Sequence, residues 1–354
     1  MRILHVITSL LTGGAEKLVV DLTLRFRQKG HEVDVAVFNG ADGPFLQVLK
    51  QHQEVKLFIL GQSFYDVRHI WRLRKIMRDY DIIHTHNSSP QLYAAIANIG
   101  LHKRLVTTEH NTANRKRNHL LLRLIDRWMY RRYEHIICIS DKAADNLKDY
   151  LRRDDRIVTI YNGVDVEAIH DAQPIPEMRS QRFVALMVAA YRPQKDHETV
   201  IRAAQRLPKD RFEFWFAGTG TREDEVAREV HEAGVDSQIK ILGNRTDVPR
   251  LLQTADVILM STHYEGLSLS NIEGMSAGKP FVASDVDGVH EITAGYGVLF
   301  AHEDNAALAE ILQRLSADSD YYDEVADRCY QRAKEYDLGK MVERYLHVYS
   351  VILF

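Results

Sequence analysis

The segment from Glu265 to Glu273 has the residue types that could bind an anionic ligand. Two carboxylates flank a run that includes the small residues Gly266, Ser268 and Ser270. Small residues let a phosphate approach the backbone, and a helix that begins here would direct free N–H groups and a partial positive charge at that phosphate. We therefore predict that this segment binds a phosphate-containing ligand.

The spacing of the two glutamates bears on a second use of paired carboxylates, glycoside hydrolysis. That reaction needs two carboxyl groups about 5–9.5 Å apart. Eight residues of helix rise about 12 Å, and an extended chain separates the ends further. We therefore expect Glu265 and Glu273 to hold different parts of one long ligand. The alternative is that Ser268 or Ser270 caps a helix and Glu273 is an ordinary first-turn acid.

Two cations, Arg192 and Lys195, lie in a short turn after an apolar run. A diphosphate carries two charges, and the planar guanidinium fork and the point charge of an ammonium suit it together. Hydrogen bonds to charged groups contribute about 1.5–3 kcal/mol each. The alternative is a solvated turn. Gly218 and Gly220 likewise follow a predicted strand and precede a predicted helix, so this turn is also a candidate for binding phosphate or sugar.

Apolar runs of strand length alternate with amphipathic helical stretches along the chain, which is typical of βαβ units on a parallel sheet. Pro174 and Pro176 interrupt this alternation. We predict one domain over 1–170, a second over 171–335, and a C-terminal helix in 336–354 that packs on the first. Ligands of such doubly wound sheets bind at the carboxyl ends of the strands, near a topological switch point.

The strand and helix predictions follow from this periodicity. Strands are predicted at 2–8, 31–38, 81–86, 104–109, 135–139, 156–160, 183–190, 212–217, 238–242, 256–260, 280–284 and 297–300. A first helix is predicted from the helical spacing of apolar residues between Ala15 and Phe26, with Gly30 at its end. Further helices are predicted at 67–78, 89–99, 118–132, 141–151, 196–206, 221–233, 247–253, 269–277 and 305–316.

Composition narrows the class of protein. With 354 residues and only two cysteines, the chain is long enough for two domains and lacks a disulfide framework, which favours a cytoplasmic location. Residues 1–165 contain 26 Lys and Arg against 18 Asp and Glu, whereas residues 166–354 contain 20 against 31. The first part therefore favours an anionic partner, and the acidic second part argues against nucleic-acid binding.

At this point a family resemblance emerges. Glu265 to Pro280 resembles the E-x7-E signature of glycosyltransferase family 4, the group 1 glycosyl transferases, which are retaining enzymes of the GT-B fold. Further stretches are similar to family motifs and lie at Gly13-Gly14-Ala15-Glu16, Glu109-His110-Asn111, Asn162-Gly163-Val164-Asp165 and Ala189 to Asp196. The resemblance implies an α/β chain with two Rossmann-like doubly wound domains and an interdomain cleft.

The resemblance also implies an activity: retaining transfer of a hexosyl group from a nucleotide-sugar, in particular a UDP-sugar, to a hydroxyl acceptor, in cell-surface polysaccharide or glycolipid biosynthesis. The nucleotide-sugar is a substrate, and no cofactor or metal is required. The implied catalytic residues are Arg192, Lys195, Glu265 and His110. The implied donor-binding residues are Gly13, Gly14, Gly218, Asn244, Arg245, Gly266, Leu267, Ser268, Leu269, Ser270 and Glu273.

The acceptor side is predicted at the basic stretch Arg115-Lys116-Arg117, which precedes a helix with arginines and apolar residues interleaved. With the basic stretch 68–78, it suits a saccharide or lipid-linked phosphate acceptor and peripheral contact with an anionic inner membrane surface. The alternative is an ordinary helix with one core-facing side and one charged side.

Three alternatives remain open. A nucleotide-sugar epimerase of this fold would use the donor site without an acceptor, and a non-catalytic nucleotide-binding subunit would use it without chemistry. His84, His86 and His110 could together form a zinc site with an open position, although no carboxylate or cysteine at fixed spacing accompanies them.

Overall fold

The structure is a computed structural model that describes residues 1–11, 13–110, 120–153, 155–265 and 269–353, without the side chains of Leu120 and Leu121. The chain divides into two compact units. Unit 1 comprises Met1–Asn162 and Gly339–Phe354, and unit 2 comprises Gly163–Leu338. Residues 163–170, which were predicted in the first domain, belong to unit 2. The Val164 N–H donates to the Tyr336 carbonyl at 3.0 Å, and the Val164 carbonyl accepts from the Leu338 N–H at 2.8 Å.

Unit 1 is a parallel sheet with helices on both faces. Its strands are β1 (Arg2–Ile7), β2 (Glu32–Val37), β3 (Leu57–Ile59), β4 (Ile82–His86), β5 (Arg104–Glu109), β6 (His135–Cys138) and β7 (Ile157–Thr159). Its first helices are α1 (Gly14–Gln28), α2 (Pro44–Lys50), α3 (Arg68–Met77), α4 (Ser88–Ala97), α5 (Leu120–Tyr130) and α6 (Asp141–Leu151). The described strands are ordered β3-β2-β1-β4-β5-β6-β7.

Unit 2 repeats this architecture. Its strands are β8 (Phe183–Val188), β9 (Phe212–Ala217), β10 (Ile239–Gly243), β11 (Val257–Met260), β12 (Phe281–Ser284) and β13 (Val298–Phe300). Its helices are α7 (Val166–His170), α8 (His197–Gln205), α9 (Glu223–Glu232), α10 (Val248–Thr254), α11 (Leu269–Ser276), α12 (His290–Thr293), α13 (Asn305–Ala317) and α14 (Ser319–Ala333), with short 3-10 turns at Pro176–Met178 and Lys334–Tyr336. The described strands are ordered β10-β9-β8-β11-β12-β13.

Both sheets are buried on their two faces, which explains why their strands are nearly continuous apolar runs. All six residues of β9 are buried, and Trp215 lies wholly within the unit. One face of this sheet packs against α8 and α13, with Val200 and Leu308 in the shared core. The other face packs against α10, α11 and α14, where Ile272 and Val325 are buried.

The last helix, α15 (Leu338–Leu353), returns the chain to unit 1. Tyr345 and Tyr349 of this helix are fully buried. The Tyr349 hydroxyl lies 2.5 Å from Nδ1 of His84, and the Tyr345 hydroxyl lies 3.3 Å from Oγ1 of Thr108. The C-terminal segment thus contributes side chains to the interior of unit 1.

The strand order gives each sheet a switch point, where the chain changes its direction of travel across the sheet. In unit 1 this point lies between β1 and β4, and in unit 2 it lies between β8 and β11. The loops that follow these neighbouring strands diverge and leave room for a ligand at the carboxyl edge. Both units therefore place candidate site residues at this edge.

Candidate active site

At the switch point of unit 2, backbone hydrogen bonds connect the loop that follows β8 to the loop that follows β11. Lys195 and Thr262 form an isolated antiparallel bridge. The Asp196 N–H donates to the Ser261 carbonyl at 3.1 Å, and the His263 N–H donates to the Gln194 carbonyl at 2.9 Å. Because backbone hydrogen bonds connect the loops, the side chains that they carry are held in fixed positions relative to one another.

Lys195 and Glu265 form an ion pair at this point, although they are 70 residues apart in sequence. Only 13% of the Lys195 side chain and 10% of the Glu265 side chain are exposed. The Thr262 hydroxyl donates to the Gln194 carbonyl at 2.9 Å and lies 3.3 Å from the same Glu265 oxygen. An ion pair with so little solvent contact interacts strongly. A ligand with both anionic and hydroxyl groups can exchange with it, the anion for the carboxylate and the hydroxyl for the ammonium.

A cavity of about 340 Å³ opens at the carboxyl ends of β8, β9 and β10. Four of the predicted donor-binding residues line it, namely Gly218, Asn244, Arg245 and Ser270. A smaller cavity also lined by Ser270 reaches Glu273. The structure therefore brings these five residues together at one edge of unit 2.

Arg245 is oriented within this cavity by a carboxylate. Its Nη2 and Nε lie 2.7 and 2.9 Å from the two oxygens of Asp247, in the bidentate geometry that suits a guanidinium. The remaining N–H groups of the guanidinium can donate to a ligand.

Two glycines at this edge are required by close approach of the backbone. A Cβ at Gly218 would lie 2.0 Å from the Ala189 carbonyl oxygen, and one at Gly220 would lie 2.2 Å from the Tyr191 carbonyl oxygen. Any side chain would force the loops after β8 and β9 apart. The glycines thus keep the wall of the cavity close to the loop that carries Lys195.

The remaining predicted site residues of unit 2 lie within a few positions of Lys195 or Glu265 in the sequence. Arg192 is exposed, and its side chain makes no ion pair with any described residue. Leu269 and Ser270 are the first residues of α11, so their N–H groups are among those without a partner inside the helix. The predicted Gly266, Leu267 and Ser268 lie outside the described residues, as do the acceptor-side Arg115, Lys116 and Arg117.

The predicted residues Gly13, Gly14 and His110 belong to unit 1 rather than to the cavity of unit 2. Gly13 caps α1, and Gly14 is its first residue. His110 follows β5 directly. The three residues thus lie at the carboxyl edge of the unit 1 sheet, which repeats the placement seen in unit 2.

A chain of imidazoles leads from His110 into the core of unit 1. Nε2 of His110 lies 3.2 Å from Nδ1 of His86, and Nε2 of His86 lies 3.1 Å from Nδ1 of His5. Burial lowers the pKa of His110 to about 4 and that of His5 to about 3. Burial, followed by the charges of His84 and His5, lowers the pKa of His86 well below its usual value. These imidazoles are therefore neutral at neutral pH.

His84 completes this cluster through bonds to other elements. Its Nδ1 faces Tyr349, and its Nε2 lies 2.8 Å from Oγ1 of Thr108. Nδ1 of His110, by contrast, has no hydrogen-bond partner among residues 1–110 or the other described segments. Nε2 of His5 also lacks a partner among these residues, but His5 is fully buried, whereas His110 is partly exposed and can donate to or accept from a ligand.

Several polar residues at the switch points were not predicted from the sequence. The Thr262 hydroxyl donates to the Gln194 carbonyl at 2.9 Å beside Glu265, and the Gln194 amide donates to the Tyr264 carbonyl at 2.8 Å. In unit 1 the Asn87 amide donates to the Thr8 hydroxyl across the switch point at 2.9 Å. Their signal in the sequence is a polar residue within a few positions of a predicted strand end, which is too common to identify a site alone.

Among the described residues, none of the helices is both long and apolar enough to cross a membrane.

Two family models and several known proteins are similar to this chain. The model described as Glycosyltransferase Family 4 matches residues 12–168, and the model described as Glycosyl transferases group 1 matches residues 168–336. The putative glycosyltransferase EpsD of Bacillus subtilis is 24% identical, with 93% of this chain and 91% of that protein covered. A Campylobacter jejuni enzyme, GalNAc-alpha-(1->4)-GalNAc-alpha-(1->3)-diNAcBac-PP-undecaprenol alpha-1,4-N-acetyl-D-galactosaminyltransferase, is 22% identical with 99% of each chain covered.

A solved structure supports the fold. Anabaena HepE in complex with UDP superposes with a TM-score of 0.84 at 21% identity, covering 99% of this chain and 100% of HepE. This likeness confirms the predicted fold class, two parallel-sheet α/β domains of GT-B type. The two family models together match the chain from residue 12 to residue 336. The chain therefore belongs to glycosyltransferase family 4, the group 1 glycosyl transferases, and is a glycosyltransferase.

Proposed function

We propose that the protein transfers a hexosyl group from a UDP-sugar to a hydroxyl acceptor with retention of anomeric configuration. The observation that carries this proposal is the Lys195–Glu265 ion pair, which lies at the same sheet edge as a cavity of about 340 Å³ lined by Asn244, Arg245 and Ser270. The cavity suits a nucleotide, and the ion pair suits the diphosphate and sugar. HepE, whose fold this chain shares, was crystallised with UDP, which supports the choice of nucleotide.

The proposed reaction breaks the bond between the anomeric carbon and the diphosphate oxygen. The acceptor oxygen bonds to the same face of that carbon, and its proton passes to the departing phosphate oxygen. Negative charge builds up on the diphosphate, so cations aimed at it lower the barrier. Lys195 and Arg192 supply these cations, and the N–H groups of Leu269 and Ser270 supply partial positive charge at the start of α11.

The remaining groups orient the donor. Glu265, which lies 3.3 Å from the Thr262 hydroxyl, accepts hydrogen bonds from sugar hydroxyls when Lys195 turns to the diphosphate. Glu273 lines the small cavity beyond Ser270 and is assigned to the ribose hydroxyls. His110 is assigned to the transferred sugar, as a neutral hydrogen-bonding group.

Side-chain cations replace a metal in this proposal. The chain contains three Asp-x-Asp triplets, at 79–81, 285–287 and 318–320. Asp81 accepts a hydrogen bond from the Arg2 N–H at 2.8 Å. Asp285 lies 2.6 Å from Nδ1 of His290, and Asp318 caps α14 by accepting from the Tyr321 N–H at 3.0 Å. Since these carboxylates have structural partners, we expect turnover to be the same in chelator as in Mg²⁺.

A donor panel tests the function. UDP-, GDP- and ADP-sugars are screened by thermal shift, and the stabilising donor is incubated with saccharide and lipid-linked acceptors. We expect a UDP-sugar to stabilise the protein and the product to keep the anomeric configuration of the donor by NMR. An inverted product would refute retention. Isomerisation of the donor without acceptor would instead establish an epimerase, and binding with no turnover would establish a non-catalytic subunit.

A lipid-linked acceptor and peripheral membrane contact are part of the same proposal. The Campylobacter relative acts on an undecaprenol diphosphate acceptor according to its name. In unit 1 the side chains of Tyr65, Val67 and Trp71 are 75, 68 and 75% exposed, beside basic residues of α3 such as Lys75. Leu124 of α5 is 59% exposed among arginines. Exposed aromatic and apolar groups flanked by cations suit an anionic lipid surface.

Vesicle co-sedimentation tests this contact. We expect binding to vesicles with anionic lipid, weaker binding at high salt, and reduced binding after Trp71→Ala. The exposed Val351→Ala on α15 is the control and should bind as the wild type does. Equal binding of wild type and Trp71→Ala would remove α3 from the interface.

A further inference from the structure

A second group of polar side chains lies at the carboxyl edge of the unit 2 sheet, apart from the ion pair. His263 follows β11, and His302 and Glu303 follow β13. Nδ1 of His263 lies 2.8 Å from Nε2 of His302. Oε1 of Glu303 lies 3.5 Å from that His263 nitrogen and 3.9 Å from that His302 nitrogen. Three potential metal ligands therefore converge on one small volume.

These separations match the geometry of a tetrahedral metal site. With bonds of about 2.0–2.1 Å from zinc to nitrogen and oxygen, tetrahedral ligand atoms lie about 3.3 Å from one another. The three observed distances of 2.8, 3.5 and 3.9 Å lie on both sides of that value. Small side-chain rotations that move the ligand atoms by a few tenths of an ångström would bring the three atoms to tetrahedral separations.

A further carboxylate lies beside this group. Glu303 itself has a φ of 63°, a left-handed conformation, within the turn that connects β13 to α13. Asp196 is buried, and a carboxylate oxygen of it lies within 4.8 Å of the His263 and His302 ligand atoms. Both of its oxygens also accept hydrogen bonds, from the Thr199 N–H and the Ser261 hydroxyl. Asp196 thus adds negative charge near the site.

The buried histidines of unit 1 form a competing group, since ligand atoms of His5, His84 and His86 also lie within 4.8 Å of one another. Their rings are inaccessible to solvent, and nitrogens of His84 and His86 are already hydrogen-bonded on both sides. By contrast, 30% of the His263 side chain, 39% of His302 and 56% of Glu303 are exposed. An ion from solution can reach only the second group without opening a core.

We propose that His263, His302 and Glu303 bind one divalent transition-metal ion of the zinc class, with water or Asp196 as the fourth ligand. Imidazole and carboxylate ligands in tetrahedral array favour Zn²⁺ over Mg²⁺, which prefers six oxygens. The ion connects the loop after β11 to the loop after β13 across β12. Asp196 and His263 lie in the loops that carry Lys195 and Glu265, so the ion would adjoin the proposed diphosphate site, although its binding can be measured without the transfer reaction.

The test uses the full chain without a histidine tag, freed of metal by chelator. Zn²⁺ is titrated by calorimetry, and Co²⁺ is added to report a tetrahedral site by its visible absorption. We expect one equivalent of Zn²⁺ with a dissociation constant in the micromolar range. We expect at least tenfold weaker binding in His302→Ala and in His263→Ala, and a smaller loss in Glu303→Gln.

The matched control is His290→Ala, which removes another exposed histidine paired with a carboxylate in the same unit. It should bind Zn²⁺ as the wild type does, and the thermal unfolding midpoint of each apo variant checks that the fold is intact. Wild-type affinity in both His263→Ala and His302→Ala would overturn the proposal and point to the buried histidines. The absence of any Zn²⁺ or Co²⁺ signal in the wild type would overturn it as well.

Discussion

The two switch points have the same strand topology, but the side chains at one are uncharged and those at the other form an ion pair. In unit 1, His110, His86 and His5 form a chain of imidazoles that burial keeps uncharged at neutral pH. In unit 2, Lys195 and Glu265 present full opposite charges with little solvent contact. The parallel sheet therefore determines where the loops diverge, whereas the residues in those loops determine what can bind there.

This difference suggests a division of work. A buried ion pair is suited to exchange with a diphosphate, because a charged ligand can take the place of one partner. Neutral imidazoles are suited to sugar hydroxyls, because they donate and accept hydrogen bonds without attracting a second charged ligand. Substitutions on each side should therefore differ both in size and in kind.

The largest effect is expected from Lys195→Ala. It removes the cation that we propose stabilises the leaving diphosphate, so we expect kcat to fall by roughly 10²–10³-fold, as for the loss of one preorganised charge or donor. Donor affinity should change by less than about tenfold, since the contribution is greatest in the transition state. Steady-state kinetics and UDP titration measure the two quantities. Lys209→Ala, whose exposed ammonium donates to the Gly234 carbonyl, is the control. An equal loss in both variants would contradict the assignment.

A smaller loss is expected from His110→Ala. Removal of one hydrogen bond to the sugar in the transition state, worth about 1.5–3 kcal/mol when charge develops, lowers kcat by roughly 10–100-fold. The exposed His231→Ala should have no effect on turnover. Burial lowers the pKa of His110 to about 4, so this imidazole does not titrate near pH 6.5. The pH profile of kcat near pH 6.5 should therefore have the same shape in the wild type and in His110→Ala.

The neutral histidines should make unit 1 sensitive to acid. Their pKa values are lower in the folded state than the value near 6.5 expected of the unfolded chain. Below about pH 6.5 the unfolded state therefore binds more protons than the folded state. The protein has its full stability above that pH and becomes less stable as the pH falls below it. Each such group contributes about 1.4 kcal/mol per pH unit. Thermal unfolding midpoints at pH 7.5 and 5.5 measure the loss.

Two variants sharpen this measurement. His5→Phe removes one buried imidazole, so its unfolding midpoint should fall less between the two pH values than that of the wild type. His231→Ala removes an exposed imidazole and should keep the wild-type difference. The same pH dependence in His5→Phe and wild type would show that the buried cluster is not the cause.

The smallest effect is expected from Thr262→Val. This change removes the hydroxyl that donates to the Gln194 carbonyl at 2.9 Å and lies 3.3 Å from Glu265, an interaction worth about 0.5–1.5 kcal/mol, and it keeps the side-chain volume. We expect kcat/KM to fall by about three- to tenfold. Ser316→Ala, which removes an exposed hydroxyl bonded to the Gln313 carbonyl, should be neutral. A loss as large as that of Lys195→Ala would mean that Thr262 itself contacts the reacting groups.

The regular elements next to the site could be predicted from local sequence pattern. The strand expected at 256–260 is Val257–Met260, and the helix expected at 269–277 is Leu269–Ser276. These predictions succeeded because a buried strand and the helix after it each have their own periodicity. Predictions were less complete where an element is short or weakly patterned. The three-residue β3 depends on its pairing with β2, and α14 has few apolar positions.

The contacts within the site could not be predicted in the same way. Lys195 was predicted as a phosphate ligand and Glu265 as a sugar ligand, but their pairing depends on β8 and β11 being neighbours in the sheet. The same holds for His84, whose partner Tyr349 is 265 residues away. Periodicity reports which face of an element is buried and says nothing about which distant residue lies opposite.

The return of α15 to unit 1 has a consequence for the order in which the chain folds during synthesis. Unit 2 is continuous from Gly163 to Leu338, so all of its residues can leave the ribosome before the last helix does. Unit 1 lacks Tyr345 and Tyr349 until α15 is made, after unit 2, and its histidine core has no cover from that helix until then. Since domains generally fold as units, the unit synthesised second is expected to finish folding first.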